Sequence, residues 1–326
     1  MITEDGKFLL AVNGGSNTIA VFTISTDGSL HAVSGSPFPS GGETPVSLAS
    51  LNNYIFAVNK SQNPLAPVSM KPNYSTFTMS ADGSLSIVAG GKFETTEGAS
   101  PAQVLVSNDH KFLFGADFLS FMADPPRGTL RSFVINASGT LMPVAGTPQA
   151  IPGAGGALGL WQHPKDNALY VGFPVQSKIG VYEINPATGN LTFKTSVNAG
   201  AAACWLRTNK QGDRLYVLNS AEGTVGVYNT TNSLSPDFMS KLTLKKTGPT
   251  YGPMNAVTSE PFNLCFSPTG KVLYVVSQHT SADFSIGNYN YFHSLQVMDD
   301  GSLSEAQEPT EIPVAPNIRP QGVVVY

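Results

Sequence analysis

The stretch RLYVLN at residues 214–219 decides the fold, because segments of the same form recur along the chain. Each follows a polar turn and alternates large apolar residues with smaller ones, which is typical of a β-strand. The equivalent large residues of the six copies are Leu10, Phe56, Phe114, Tyr170, Tyr216 and Tyr274. Their spacing of 46–58 residues is typical of one four-stranded propeller blade with a variable loop.

A second repeated signal is a turn of the form Asp-Gly-Ser-Leu, which recurs with small changes between later strands of five of the six units. It stands at residues 27–30, 82–85, 138–141, 188–191 and 300–303. Glycine supplies the positive φ that such turns need, and aspartate caps the turn through its own backbone. A β-sandwich is disfavoured, because its strands do not recur as matching four-stranded units.

These repeats predict an all-β chain, a six-bladed β-propeller of four-stranded blades that forms a single domain over residues 1–326. The chain begins in the turn before a second strand and ends in a first strand, residues 321–326. We therefore expect this last strand to pair with the first blade and close the ring, which removes two exposed sheet edges.

Composition narrows the class of partner. Charged residues make up 12% of the 326 residues, the formal net charge is -4, and no basic stripe is present, so we expect no nucleic-acid partner. No apolar run is long enough to span a membrane, and we expect a monomer. The chain opens in a turn without a signal peptide, and five Asn-X-Ser/Thr sequons are a weak indication of an extracellular origin. Cys204 and Cys265 fall in first strands at an odd offset, which predicts two buried, unbridged thiols.

In a four-stranded meander, the start of the first strand lies beside the end of the second. The loops at that end form the default ligand face, where we expect a small polar molecule at the central channel. Three long loops, residues 60–72, 118–127 and 279–291, add to this face. The predicted ligand-binding residues there are Gln103, Asp117, Cys204, Trp205, Asn219, Ser220, Asn263 and Gln278.

Catalytic signals are few. Asp117 is the best candidate base, although asparagine at the matching positions favours a structural turn role. Asn13, Asn59, Asn219 and Asp117 could offer oxygens to Ca²⁺, but a single carboxylate gives little charge, so we predict no metal and no cofactor. His110 and His163 flank turns and are predicted to be solvated, and His279 is the one histidine in a loop of the ligand face.

The stretches at residues 13–19 (NGGSNTI), 38–42 (FPSGG), 100–104 (SPAQV) and 203–205 (ACW) resemble the lactonase-type β-propeller family. The resemblance is to its 6-phosphogluconolactonase and 3-carboxymuconate cyclase-like branch, whose members often are secreted and generally have seven blades. It implies a site of histidine, arginine and glutamate. Counting from the second strands, the arginine–histidine pair falls on Cys204 and Trp205, the glutamate on Ser220, an arginine on Gln278, and a histidine on Ala102 or Gln103. The usual charged groups are thus substituted.

Two classes of function stay open at this point. The resemblance implies a lactonase or cyclase-like protein that acts on or binds a small polar lactone or carboxylate. The alternative is a non-catalytic propeller, either a protein-interaction scaffold or a ligand- or glycan-binding protein. In a binding protein, amides such as Gln103, Asn263 and Gln278 would form hydrogen bonds. The aromatic residues expected to stack on a ligand are Phe121, Trp205, Tyr289 and Tyr291.

Overall fold

The computed structural model describes residues 1–62, 69–96, 98–120, 127–153 and 155–326. Regular structure in this part of the chain consists of strands β1–β28 and one short 3-10 turn, η1 (Phe284–Ile286). No helix among these residues is long and apolar enough to cross a membrane. The chain divides into two compact units, residues 1–160, 184–191 and 326 in the first and residues 161–183 and 192–325 in the second. The single domain stays a prediction.

The first unit holds three antiparallel sheets, each a meander in chain order. The first has strands β1 (Phe8–Asn13), β2 (Thr18–Ile24), β3 (Leu30–Ala32) and β4 (Phe38–Pro39). The second has strands β5 (Pro45–Leu51), β6 (Tyr54–Asn59), β7 (Asn73–Met79) and β8 (Leu85–Glu94). The third has strands β9 (Pro101–Val106), β10 (Phe112–Ser120), β11 (Arg127–Ile135), β12 (Leu141–Pro143) and β13 (Gln149–Ala150). Because β3 and β4 both pair with β2, and β12 and β13 both pair with β11, each such pair is one interrupted outer strand.

The second unit holds the other sheets, apart from Leu160 and residues 184–191, which group with the first unit. The fourth sheet has strands β14 (Leu160–Gln162), β15 (Ala168–Phe173), β16 (Lys178–Ile184) and β17 (Leu191–Asn198). The fifth has strands β18 (Ala203–Thr208), β19 (Arg214–Asn219), β20 (Thr224–Asn229) and β21 (Asp237–Thr243). A hairpin of β22 (Thr250–Tyr251) and β23 (Ala256–Val257) precedes the sixth sheet. That sheet has strands β24 (Ser259–Phe266), β25 (Val272–His279), β26 (Tyr291–Val297), β27 (Leu303–Ser304) and β28 (Thr310–Glu311).

The six meanders found in the described residues are the blades of a six-bladed β-propeller, as the repeats predict. The large residues that define the repeat lie in the second strands and are buried in the core, with Tyr170 and Tyr216 each 0% exposed. Tyr274 is the exception and is half-buried. The alternation of the six segments therefore reflects burial of their large side chains between sheets.

The recurring turn glycine has a positive φ and also leaves space for an aromatic ring of the preceding blade. Gly139, at φ 79°, lies against the ring of Tyr54 in the preceding blade, and a Cβ there would meet the ring at 2.5 Å. The Tyr54 hydroxyl donates to the carbonyl of Ala137 in the same turn at 2.9 Å. Gly83 lies against Phe8 in the same way. Successive blades of the first unit therefore interlock through a turn that only glycine fits.

The chain terminus differs from the expected closing strand. Residues 312–326 are all described and form no strand. The free edge of β1 instead pairs with residues 1–3, because the Met1 amino group donates to the Leu10 carbonyl at 2.7 Å and the Thr3 amide donates to the Phe8 carbonyl at 3.0 Å. The Tyr326 ring contacts this sheet near Gly6, 3.4 Å from the position of a Cβ on that glycine. Residues 1–3 thus bind backbone groups of Phe8 and Leu10 at the edge that the last strand was expected to bind.

Candidate functional site

Gln103, a predicted ligand-binding residue of the first unit, binds the protein's own backbone. It lies opposite Ala116 in the pairing of β9 with β10. Its amide nitrogen donates to the Leu160 carbonyl at 3.2 Å, and its amide oxygen accepts from the Leu160 backbone amide at 2.5 Å. Both polar atoms of Gln103 therefore hold the start of β14.

Asp117, the other predicted residue of this unit, is 1% exposed and lies in β10 at a register shift in the pairing with β9. One carboxylate oxygen accepts from Arg131 Nε at 2.7 Å and from Thr129 Oγ1 at 2.8 Å, both on β11. Burial raises the pKa of Asp117, against the opposing effects of Arg131 and Thr129. The geometry matches the structural alternative, and the catalytic assignment of Asp117 stays a prediction.

The asparagines at matching strand ends also bind loops. Asn59 donates to the Ser40 carbonyl and to Asn73 Oδ1, both at 3.0 Å. Asn219 accepts from the Gly200 amide at 3.0 Å. Among the described residues, no three His, Cys, Asp or Glu side chains are grouped as metal ligands.

Cys204 and Ser220, predicted residues of the second unit, lie together beside β24. The Ser220 hydroxyl donates to the Pro261 carbonyl at 2.7 Å. Burial raises the pKa of the Cys204 thiol to about 12, Ser220 opposes this shift, and the charge of Glu260 adds to it. Cys204 is therefore a protonated thiol at neutral pH. Both cysteines are free and buried, which confirms the prediction.

Asn263 and Gln278 are brought together by Gln321 of the C-terminal segment. Gln321 donates to Gln278 Oε1 at 3.2 Å, and its carbonyl accepts from Asn263 Nδ2 at 3.3 Å. Trp205 instead packs edge-to-face on Phe262, with ring centroids 5.6 Å apart. The amides are thus placed as a polar group, whereas Trp205 belongs to the core beside it.

Glu260, which sequence analysis missed, lies opposite Gln278 in the pairing of β24 with β25. The Tyr251 hydroxyl donates to Glu260 Oε1 at 3.3 Å. Burial raises the pKa of Glu260, while the nearby hydroxyls of Tyr251 and Thr280 and the charge of Arg319 oppose the rise. Burial also raises the pKa of Tyr251, which keeps it a phenol at neutral pH. Glu260, Tyr251, Gln278, Thr280 and Arg319 form what we call the Glu260 site.

The reason for this omission is a bulge. The repeat places the start of this strand at Asn263, but β24 begins at Ser259, with a register shift between Pro261 and Asn263. A proline inside the segment conceals the two earlier residues of the strand, since proline is disfavoured in strand interiors except at edges and bulges. The Glu260-Pro261 pair just before the apolar run was the signal in the sequence that could have indicated a bulged start of this strand.

A buried network supports the other face of the same sheet. The hydroxyls of Ser259 and Ser277 are 2.7 Å apart, and Ser277 Oγ lies 3.0 Å from His293 Nε2. His293 Nδ1 is 2.7 Å from Glu305 Oε1. The second carboxylate oxygen, Glu305 Oε2, accepts from the Lys245 backbone amide at 2.6 Å. The network crosses from β24 to β26 and holds the strand end that carries Glu260.

Two histidines were predicted to be solvated at turns. His110 is exposed, which confirms the prediction. The prediction is wrong for His163, because this residue is 4% exposed and its Nε2 lies 2.7 Å from the Gly212 carbonyl. Its Nδ1 accepts from the Lys165 and Asp166 amides, so Nε2 carries the proton and donates. The missing Cβ of Gly212 leaves space for the imidazole.

The loops of the ligand face are described in part. Phe121 lies outside the described residues. His279 is 0% exposed, under the rings of Phe284 and Tyr289, and its two ring nitrogens have no hydrogen-bond partner in the described part of the chain. Tyr289 and Tyr291 pack edge-to-face on each other, with centroids 6.3 Å apart.

Comparison with solved structures identifies the fold. The periplasmic gluconolactonase of Pseudomonas aeruginosa is 17% identical over 94% of this chain and 82% of that chain, with a TM-score of 0.72. A proposed 6-phosphogluconolactonase from Bacteroides fragilis is 18% identical over 96% of this chain and 83% of that chain, with a TM-score of 0.71. A protein from Lactobacillus plantarum is 17% identical over 93% of this chain and 81% of that chain, with a TM-score of 0.70. No protein-family model and no curated protein matches the chain. The chain therefore has the fold of the lactonase-type β-propellers.

Proposed function

We propose that this protein hydrolyses a small polar lactone, with Glu260 as the general base. The observation that carries the proposal is the Glu260 carboxyl itself, which has a raised pKa and a phenol donor, Tyr251, at 3.3 Å. A general base works best when its pKa is close to the pH of the reaction, so a raised carboxyl pKa makes Glu260 a stronger proton acceptor. The family's charged catalytic groups are substituted at the matching positions of this chain. Glu260, Tyr251 and Arg319 would supply a carboxyl, a phenol and a guanidinium in their place.

The chemistry follows from these two side chains. Deprotonated Glu260 takes a proton from a water molecule, whose oxygen attacks the lactone carbonyl carbon. The Tyr251 phenol turns its single O–H from Glu260 to the carbonyl oxygen as this oxygen becomes an oxyanion. Collapse breaks the ring C–O bond, and the leaving alkoxide takes the proton from Glu260, so that one lactone and one water give one hydroxy acid.

The remaining groups of the site favour a polar substrate. Arg319 is exposed and offers a guanidinium to a carboxylate or another anionic group of the substrate. Gln278 and Gln321 offer amide donors and acceptors to ring hydroxyls. We further propose that the protein acts as a monomer on such a small molecule.

The experiment is a pH-stat assay, since hydrolysis of one lactone releases one proton. Glucono-δ-lactone, δ-valerolactone and a γ-lactone bearing a carboxylate are supplied separately to the purified protein, with the buffer rate subtracted. A parallel ultraviolet assay follows ring closure of carboxymuconate. We expect saturable hydrolysis of a polar lactone and loss of it in E260Q. Rates equal to buffer with every lactone would overturn the proposal and favour a binding or scaffold protein, and turnover of carboxymuconate alone would favour the cyclase reaction.

A further inference from the structure

A cleft of about 320 Å³ opens in the fifth blade and shares no residue with the Glu260 site. One wall is the loop at residues 198–201, and the other is formed by Tyr228 on β20 and by Phe238 and Lys241 on β21. Asn219 and Glu222, at the turn between β19 and β20, complete the lining. The cleft therefore combines an amide, an ion pair and two aromatic rings.

The cleft is rigid on the side of the loop. Asn219 Oδ1 accepts from the Gly200 amide at 3.0 Å, and Glu222 Oε2 accepts from the Ala201 amide at 3.1 Å. A Cβ on Gly200 would overlap the Glu222 carboxylate and the Asn219 amide. A ligand here meets groups that are already in place, which reduces the entropy lost on binding.

The charges in the cleft balance. Lys241 Nζ donates to Glu222 Oε1, so the pair carries no net charge, and both side chains keep contact with solvent. Lys241 retains further N–H donors, and the Glu222 carboxylate retains lone pairs. A donor and an acceptor side by side match two neighbouring hydroxyl groups of a neutral ligand.

Phe238 supplies an apolar surface beside this pair. Its ring is 58% exposed, although the ring packs edge-to-face on Tyr228, with centroids 5.6 Å apart. Tyr228 is itself held by donation from its hydroxyl to the Asn198 carbonyl at 3.1 Å. An oriented, exposed ring next to hydroxyl-binding groups fits the apolar C–H face of a pyranose.

We propose that this cleft binds a neutral carbohydrate, with the sugar ring on Phe238 and two of its hydroxyls on Glu222 and Lys241. The site is independent of the proposed hydrolytic activity, because it uses none of the residues of the Glu260 site. It gives the protein a means of attachment to a glycan while the Glu260 site meets a soluble substrate.

Isothermal titration with methyl glycosides and disaccharides of glucose, galactose and mannose tests the site. We expect saturable binding of at least one neutral sugar by the intact chain. F238A should weaken that binding at least tenfold, because the stacking surface is lost. M239A is the matched control, since Met239 is the next residue on β21 and is also exposed, and it should bind as the parent does.

Two further measurements complete the test. E260Q should bind the sugar as the parent does, and F238A should hydrolyse lactones as the parent does, so the failure of one proposal is distinguishable from the failure of the other. Absence of saturable binding by every neutral sugar would overturn the proposal, as would equal affinity of F238A and M239A. Tighter binding of gluconate than of any neutral sugar would overturn the assignment of a neutral ligand.

Discussion

Glu260 lies directly across from Gln278, on the neighbouring strands β24 and β25. Cross-strand partners project to the same face of a sheet, so a carboxyl with a raised pKa and an amide stand side by side. Gln278 is itself bound by Gln321, and the Tyr251 phenol donates to Glu260. This pairing places a carboxyl next to Gln278, a predicted ligand-binding residue, and it is the arrangement on which the proposed general base rests.

The Tyr251 hydroxyl should matter for both the rate and the pH dependence. Y251F removes an oxyanion donor, and we expect kcat/KM for the best lactone to fall by about 10²-fold. The same hydroxyl opposes the rise in the Glu260 pKa, so its loss should also move the acidic limb of the pH–rate profile to higher pH. Initial rates between pH 4 and 9 measure both effects. A fall in rate with an unmoved limb would show that Tyr251 does not interact with Glu260.

Arg319 should bind an anionic group of the substrate. We expect R319Q to raise KM about tenfold for a lactone that bears a carboxylate and to change KM little for an uncharged lactone. K271Q serves as the control, because Lys271 is an exposed cation in the turn between β24 and β25. Equal effects of R319Q on both lactones would contradict this role.

The turn glycines allow a matched test of blade packing. G139A introduces a side chain both at a positive φ and against the Tyr54 ring, whereas G28A meets the same positive φ with nothing within 4 Å. We expect a loss in the free energy of unfolding of about 1 kcal/mol for G28A and about 2–4 kcal/mol for G139A. Urea denaturation followed by circular dichroism gives both values. Equal losses would mean that the contact with Tyr54 does not stabilise the fold.

The buried pair of Asp117 and Arg131 should behave as a stability element. D117N or R131M leaves one partner without its counter-charge, and we expect each to lower the free energy of unfolding by about 3 kcal/mol. The double variant D117L/R131M should lose less than the sum of the two single changes, because no uncompensated charge remains. Denaturant titration of the three variants measures this coupling, and strict additivity would contradict it.

The fold was readable from the sequence because every blade repeats the same local chemistry. Alternation around residues such as Tyr216 and the turn glycines agree on one architecture, and each signal is local. The pairing at the edge of β1 was not readable, because residues 1–3 are a segment too short to show periodicity. The burial of His163 depends on Gly212, 49 positions away along the chain, and no local pattern shows such a contact.

The site was readable only in part. Gln278 was predicted, because it stands near the end of the regular strand β25, which the repeat locates. Glu260 was missed, because a bulge at Pro261 carries the strand beyond the regular repeat. Arg319 lies in a segment without strand or helix, so no periodic signal could bring it to the site. Residues that come from irregular backbone need tertiary structure to be located.

The most direct test of the account is the pH–rate profile of lactone hydrolysis by the parent chain and by E260Q. Because burial raises the pKa of Glu260, the folded protein holds this proton more tightly than the unfolded chain does. The contribution of Glu260 to the free energy of unfolding is full at low pH and is lost as the pH rises through the raised pKa. Over the same pH range, deprotonation of Glu260 produces the active base. We predict for the parent an acidic limb above the ordinary glutamate value of about 4.3. In a folded E260Q, kcat/KM should fall by at least about 10²-fold and the limb should disappear. An E260Q protein that keeps the parent rate and the parent limb would contradict the account.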